Sequence, residues 1–198
     1  MTTGRKTIPA LIAAAVILIC AGSSAAYFSA GDKAENVFTV GAVKIELTEP
    51  SWKPDEEHLI SPGAVFEKDP IVKNTGTNAA YVRIRLAVTD ADVFKEAGAG
   101  ADPLEMLGPI GDKWVLTEGP SVKDDRICCS WCYEDPVEGS SATPPLFKTV
   151  TMPEYMTSET VESMGGEFDI IIAADAIQNE GFENYSEAFA AFDAQSGN

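Results

Sequence analysis

Residues 80–89 read AYVRIRLAVT, and apolar side chains alternate with mostly polar ones along this segment. From Val82 onward the even-numbered side chains are apolar and fall on one face of an extended chain. Tyr81, Arg83 and Arg85 fall on the other face. A period of two residues is typical of a half-buried strand, so the segment predicts a strand with one face in the core.

Other strands are predicted between turns that are rich in glycine and proline. They are Phe38–Leu47, Val65–Lys73, Lys113–Thr117, Arg126–Glu134, Leu146–Thr151 and Glu167–Ile177. The first changes parity at Gly41-Ala42, which predicts a bulge or a break. The last is apolar on both faces, which predicts a central strand.

Short helices are predicted at Asp102–Leu107 and Asn184–Phe192, the second with Asn184 or Ser186 as its cap. Many strands and few helices indicate an all-β fold. We therefore predict an antiparallel β-sandwich of jelly-roll type with one or two short helices, preceded by a signal-peptide helix.

The first 26 residues have the features of a secretory signal. Arg5 and Lys6 precede an apolar run from Ile8 to Ala21, and small residues end at Ala26. The run is shorter than the roughly 20 residues that span a bilayer. We expect cleavage between Ala26 and Tyr27 and a secreted protein at the cell surface or in the extracellular matrix. An uncleaved membrane anchor is the alternative.

The predicted organisation is therefore a signal peptide at 1–26, an extended segment at 27–40 and one domain at 41–198. The 198-residue chain has a formal net charge of −17. Such a charge repels phosphate backbones and anionic lipids, so we expect no nucleic-acid partner and only transient membrane contact through the signal peptide.

Three cysteines follow the signal, in the run Cys128-Cys129-Ser130-Trp131-Cys132. In a straight strand Cys128 and Cys132 share a face but lie roughly 13 Å apart, too far for a disulfide, while Cys129 faces away. A zinc thiolate cluster, an intermolecular disulfide and three half-buried free thiols remain as alternatives, and the last is favoured.

The residue inventory argues against most enzyme classes. His58 is the single histidine and lies in a polar, proline-bearing stretch, where we expect a solvated loop residue. A metalloprotease helix needs two histidines one turn apart. Carboxylate pairs such as Asp90 with Asp92 and Asp124 with Asp125 match no EF-hand loop, although calcium stays an alternative. We predict no catalytic residues, no cofactor and no metal.

Arg83 and Arg85 form a small basic stripe on an acidic chain. One interpretation is local pairing with neighbouring carboxylates. The other is a contact with the next acidic subunit. The sequence does not decide between them.

Several stretches resemble the TasA/camelysin family, which are exported matrix proteins of Gram-positive bacteria. Residues 26–29 and 36–45, AYFS and NVFTVGAVKI, are similar to the start of those proteins. Residues 72–76 and 80–84, VKNTG and AYVRI, are similar to a second landmark, and residues 168–182 resemble the final strand. The cysteine run has no counterpart in this pattern.

The resemblance implies a jelly-roll subunit that polymerises into fibres with copies of itself and possible contacts to other matrix proteins. In that family scheme an N-terminal segment completes the sheet of the next subunit. Here the segment is 27–40, with Val37, Phe38 and Val40 filling pockets. A monomeric surface-binding module with ligand loops near Ala91–Gly111 is the second hypothesis. The casein-degrading metalloprotease activity given to some members ranks third, because the zinc-binding histidine pair is missing.

Overall fold

The computed structural model describes residues 27–29, 43–54, 58–92, 102–164 and 167–196. The strands are β1 Tyr27–Ser29, β2 Ile45–Thr48, β3 Val65–Glu67, β4 Ile71–Asn74, β5 Ala80–Val88, β6 Trp114–Lys123, β7 Arg126–Tyr133, β8 Thr149–Thr151 and β9 Glu167–Gln178. The helices are a 3₁₀ turn at Pro103–Met106, α1 at Ser158–Ser163 and α2 at Tyr185–Ser196. The predicted all-β class is confirmed for this part of the chain.

The largest sheet has five strands in the order β1-β9-β5-β7-β6. All neighbours are antiparallel except β1, which runs parallel to β9. The β5–β9 register is continuous from Ala80 opposite Gln178 to Val88 opposite Ile170. The two strands with the strongest apolar patterns therefore lie side by side, and β1 and β6 form the two outer strands.

A second layer contains two small antiparallel sheets, β2 with β4 and β3 with β8. Backbone hydrogen bonds continue between these sheets, from Asn74 N to Ser141 O at 2.8 Å and from Lys68 N to Lys148 O at 3.1 Å. The predicted strand Val65–Lys73 is thus divided into β3 and β4. The division falls at a buried lysine and at Pro70, which has no N–H to donate.

The main core lies between the large sheet and the second layer. It contains Ile84 from β5, Trp131 from β7 and Ile170 from β9, packed with Ile45 and Val72 from the second layer. All are less than a tenth exposed. The predicted inward face of residues 80–89 is therefore confirmed.

Several predicted bounds differ from the structure. Lys113–Thr117 extends through Pro120 to become β6, because an outer strand tolerates proline. Leu146–Thr151 shortens to β8, and the helix at Asn184–Phe192 extends to Ser196. The short helix α1 was not predicted.

Candidate functional site

The β9 edge of the large sheet carries the N-terminal segment. Tyr27 pairs with Glu167, Phe28 with Phe168 and Ser29 with Asp169, all in parallel register. The predicted start of the processed chain therefore lies against the chain's own β9. The signal peptide with Ala26, the Gly41-Ala42 bulge and the predicted donor residues Val37, Phe38 and Val40 lie outside the described residues.

One side of the β9 backbone pairs with β5, and the other side faces away from β5. Thr89 N donates to Asp169 O at 3.1 Å and Asn179 N donates to Ala79 O at 3.1 Å, so odd-numbered positions bond toward β5. Peptide groups alternate along a strand, so Phe168 and the following even positions direct theirs outward. Within the described ranges, β1 is the hydrogen-bonded neighbour on that outward side, and it spans three residues.

The opposite outer strand, β6, is irregular. Its register with β7 shifts on both sides of Glu118. Gly119 has a φ of +95°, and a Cβ there would lie 2.3 Å from the carbonyl oxygen of Cys128, so only glycine fits. Pro120 follows and contributes no N–H. Bulges and proline are devices that discourage strand addition at a sheet edge.

Two arginines of β5 converge on one carboxylate of β9. Arg83 lies directly opposite Asp175, and its Nη2 donates to Asp175 Oδ2 at 2.9 Å. Arg85 Nη2 donates to Asp175 Oδ1 at 2.9 Å. The Asp175 side chain is 3% exposed, whereas that of Arg85 is 50% exposed. The structure therefore contains the predicted local pairing of this stripe with a neighbouring carboxylate. The intersubunit contact of Arg83 and Arg85 stays a prediction.

Helix α2 is attached to the outer face of the sheet through Arg83. Arg83 Nη1 donates to Asp193 Oδ2 of α2 at 2.9 Å. The Arg83 guanidinium also lies 4.6 Å from the ring centroid of Phe189 in the same helix. Burial opposes the charge, but hydrogen bonds to Asp193 and Asp175 prevail and raise the pKa of Arg83 above its ordinary value. Arg83 therefore remains charged and joins β5, β9 and α2.

The three thiols of β7 lie on the faces that the strand pattern predicts, and all are free. Cys129 is buried in the main core, and Cys132 is buried under α2 on the opposite face. Burial raises the pKa of both thiols to about 11. Because the thiolate is the reactive form, neither Cys129 nor Cys132 is a reactive cysteine at neutral pH. The third thiol, Cys128, is half-buried.

A cluster that sequence reasoning missed surrounds a fully buried lysine. Lys68 Nζ donates to Glu49 Oε2 at 2.9 Å and lies 4.8 Å from the ring centroid of Trp52. Trp52 also stacks on His58, at 4.1 Å between ring centroids. His58 lies in a loop as predicted, but it is intermediate in exposure rather than fully solvated, because its imidazole stacks on Trp52.

The predicted acidic pairs lie at one end of the large sheet. Ala91 N donates to Asp125 O at 3.1 Å, which brings the turn of Asp90 and Asp92 beside the hairpin of Asp124 and Asp125. In the portion of the chain that the structure describes, no group of three or more His, Cys, Asp or Glu side chains is arranged to hold a metal ion. The calcium alternative therefore receives no defined ligand set here.

Comparison with known protein families, with curated proteins and with solved structures gives no match for this chain. Among the described residues, none of the helices has the length and apolar character that crossing a bilayer requires.

Proposed function

We propose that this chain is an exported structural subunit that polymerises into extracellular fibres by strand exchange at the β9 edge. The observation that carries the proposal is the parallel pairing of Tyr27–Ser29 with the start of β9. The TasA/camelysin resemblance of residues 26–29, 36–45 and 168–182 supports the same assignment. In this proposal the two β layers form a jelly roll, and the signal at 1–26 directs export.

The exchange requires only contacts of a kind that one chain already makes. A strand that pairs at the edge of its own sheet has the same complementarity for the identical edge of a neighbour. The pairing is short, so its loss within one chain costs few hydrogen bonds. Backbone hydrogen bonds then provide affinity, as in other cases of strand addition.

Head-to-tail exchange gives a filament when the rotation between subunits does not close a ring. Each subunit would donate residues 27–40 and accept the same segment at β9. The large negative charge opposes nonspecific association, so assembly depends on this specific contact. Removal of the signal peptide would free the donated segment after export. The proposal assigns no catalytic residue.

Electron microscopy of the chain that begins at Tyr27, with and without residues 27–40, tests the function directly. We expect fibres from residues 27–198 and none from residues 41–198. If both chains stay monomeric across pH and salt concentration, the proposal is wrong, and a monomeric binding module becomes the better assignment.

Disulfide trapping tests the exchange itself. Ser29 and Asp169 are register partners, so one chain with Ser29→Cys and a second with Asp169→Cys are mixed and oxidised. Exchange gives a cross-linked dimer between the two variants. The matched control mixes Ser29→Cys with Val122→Cys on β6, which we expect to give no dimer. Equal cross-linking in both mixtures would contradict exchange at β9.

A further inference from the structure

We infer that the start of β9 recognises the α-ammonium group that processing creates at Tyr27. Cleavage would then supply a cation for docking as well as a free strand. The inference rests on the proposed function, in particular on cleavage between Ala26 and Tyr27. It concerns the same edge, but it identifies the chemistry that would distinguish a processed segment from an unprocessed one.

The parallel direction of β1 places its first residue at the start of β9. Tyr27 is the register partner of Glu167, and Ser29 is the register partner of Asp169. Neighbouring strands lie about 4.8 Å apart. The amino group of a chain that begins at Tyr27 therefore lies beside a segment with an acidic residue at positions 167 and 169. The segment that would carry the cation is itself seated there in the structure.

The same end of the sheet holds further acidic residues on other elements. Thr89 N donates to Asp169 O at 3.1 Å, so the acidic turn after β5 adjoins the start of β9. The charged residues of this turn and of the β6–β7 hairpin are Asp90, Asp92, Asp124, Asp125, Lys123 and Arg126. Lys123 Nζ is already 3.4 Å from Glu118 Oε1. A new cation at Tyr27 therefore enters surroundings in which acidic residues outnumber basic ones.

Processing changes the charge at this position. Hydrolysis of the Ala26–Tyr27 peptide bond consumes one water, leaves a carboxylate on Ala26 and leaves a protonated amine on Tyr27. An α-amino group has an ordinary pKa of about 7.7–8.0, so it is mostly charged at neutral pH. The uncleaved amide carries no charge. An exposed ion pair typically shifts an equilibrium by about two- to fivefold, which sets the expected size of the effect.

The test compares the chain of residues 27–198 with a free amine and the same chain after N-terminal acetylation. Hydrogen exchange of the Ser29 amide, which the alternation directs toward Phe168, is measured at concentrations where the chains are monomeric, and fibre growth is measured separately. We expect acetylation to reduce amide protection by about two- to fivefold. Glu167→Gln should have the same effect with the free amine and little further effect after acetylation. The matched control Glu138→Gln removes an exposed charge near the other end of the sheet and should change neither.

The outcomes separate this inference from the function on which it rests. Equal protection in the free and acetylated chains overturns the inference, even if both chains form fibres. An acetylation effect on protection without fibres from any chain supports the inference and overturns the proposed function. Equal losses with Glu167→Gln and Glu138→Gln would indicate general charge effects, and would also overturn it.

Discussion

The two outer regions of the large sheet, the β9 edge and the β6 strand, differ in almost every feature that controls strand addition. β9 keeps nine consecutive register pairs with β5 and carries β1 at its start. β6 changes register twice around Glu118 and contains Pro120. Unwanted pairing is a hazard on any open side of a sheet, and the outward side of β9 is regular, whereas β6 is interrupted.

The difference affects how readily each side of the sheet can pair with a further strand. An irregular outer strand presents an uneven row of backbone groups, so an incoming chain finds no continuous register. A straight strand presents a regular row, which suits a partner of defined sequence. The β9 edge is also braced by Asp175, which binds Arg83 and Arg85 of β5. In the proposed function, β9 is therefore the strand at which neighbouring subunits exchange their N-terminal segments.

The largest effect is expected from removing the Asp175 carboxylate, which binds Arg83 and Arg85. Asp175→Ala removes the buried carboxylate that binds both Arg83 and Arg85, and leaves Arg83, whose side chain is 11% exposed, with Asp193 alone. Breaking a buried pair from one side typically costs about 3–5 kcal/mol in the free energy of unfolding, and we expect the lower end, about 3 kcal/mol, because Asp193 remains. Urea denaturation measures it. The control Glu118→Ala breaks the exposed pair with Lys123 on β6 and should cost less than about 1 kcal/mol. Equal losses would remove the distinction between a braced and an unbraced edge.

The next effect concerns the outward row of peptide groups. Phe168→Pro removes an N–H that is directed away from β5, so the β5–β9 pairs remain while β1 loses a donor. We expect fibre growth about fivefold slower than in Phe168→Ala, since one hydrogen bond contributes about 1 kcal/mol. Phe168→Ala is the matched control because it also loses the aromatic ring. Unchanged growth in Phe168→Pro relative to this control would show that assembly does not use the β9 backbone.

Much of this sheet follows from local patterns. The alternation in residues 80–89 predicts β5 and its buried face, and the parity of the cysteine run places Cys129 opposite Cys132. The cap of α2 is also local, since Asn184 Oδ1 accepts from Glu187 N at 3.0 Å. Helix α1 was not predicted, although its N-cap is local too: the Thr157 hydroxyl accepts from Thr160 N at 3.3 Å. These features depend on residues within one turn or one strand.

The candidate site depends on contacts that no local pattern contains. Arg83 and Asp193 are 110 residues apart, and Lys68 and Glu49 are 19 apart, so neither ion pair can be read from spacing. The continuation of β6 through Pro120 contradicts the ordinary interpretation of proline as a strand breaker, because its outer position removes the need for an N–H. The parallel pairing of β1 with β9 likewise joins two distant segments of the chain.

A smaller effect is expected from changing Asp193, the carboxylate of α2 that binds Arg83. Asp193→Asn removes one of the two carboxylates on Arg83 but leaves Asp175 in place. The Asp193 side chain is 44% exposed, so solvent screens the pair and the loss should be about 0.5–1 kcal/mol. Urea denaturation compares it with Asp175→Ala. If the free energy of unfolding falls as much as in Asp175→Ala, the contact of Arg83 with α2 contributes as much stability as its contact with β9.

The smallest effect is expected on the irregular side of the sheet. Val122 is 52% exposed on β6, so Val122→Lys places a charge in solvent and should change the free energy of unfolding by no more than about 0.5 kcal/mol. Fibre growth should stay within about twofold of the unmodified chain, because the proposal places exchange at β9 and not at β6. Denaturation and light scattering measure the two quantities. If Val122→Lys slows growth as much as Phe168→Pro, β6 also contacts a neighbour, and the difference between the two outer strands does not determine where subunits join.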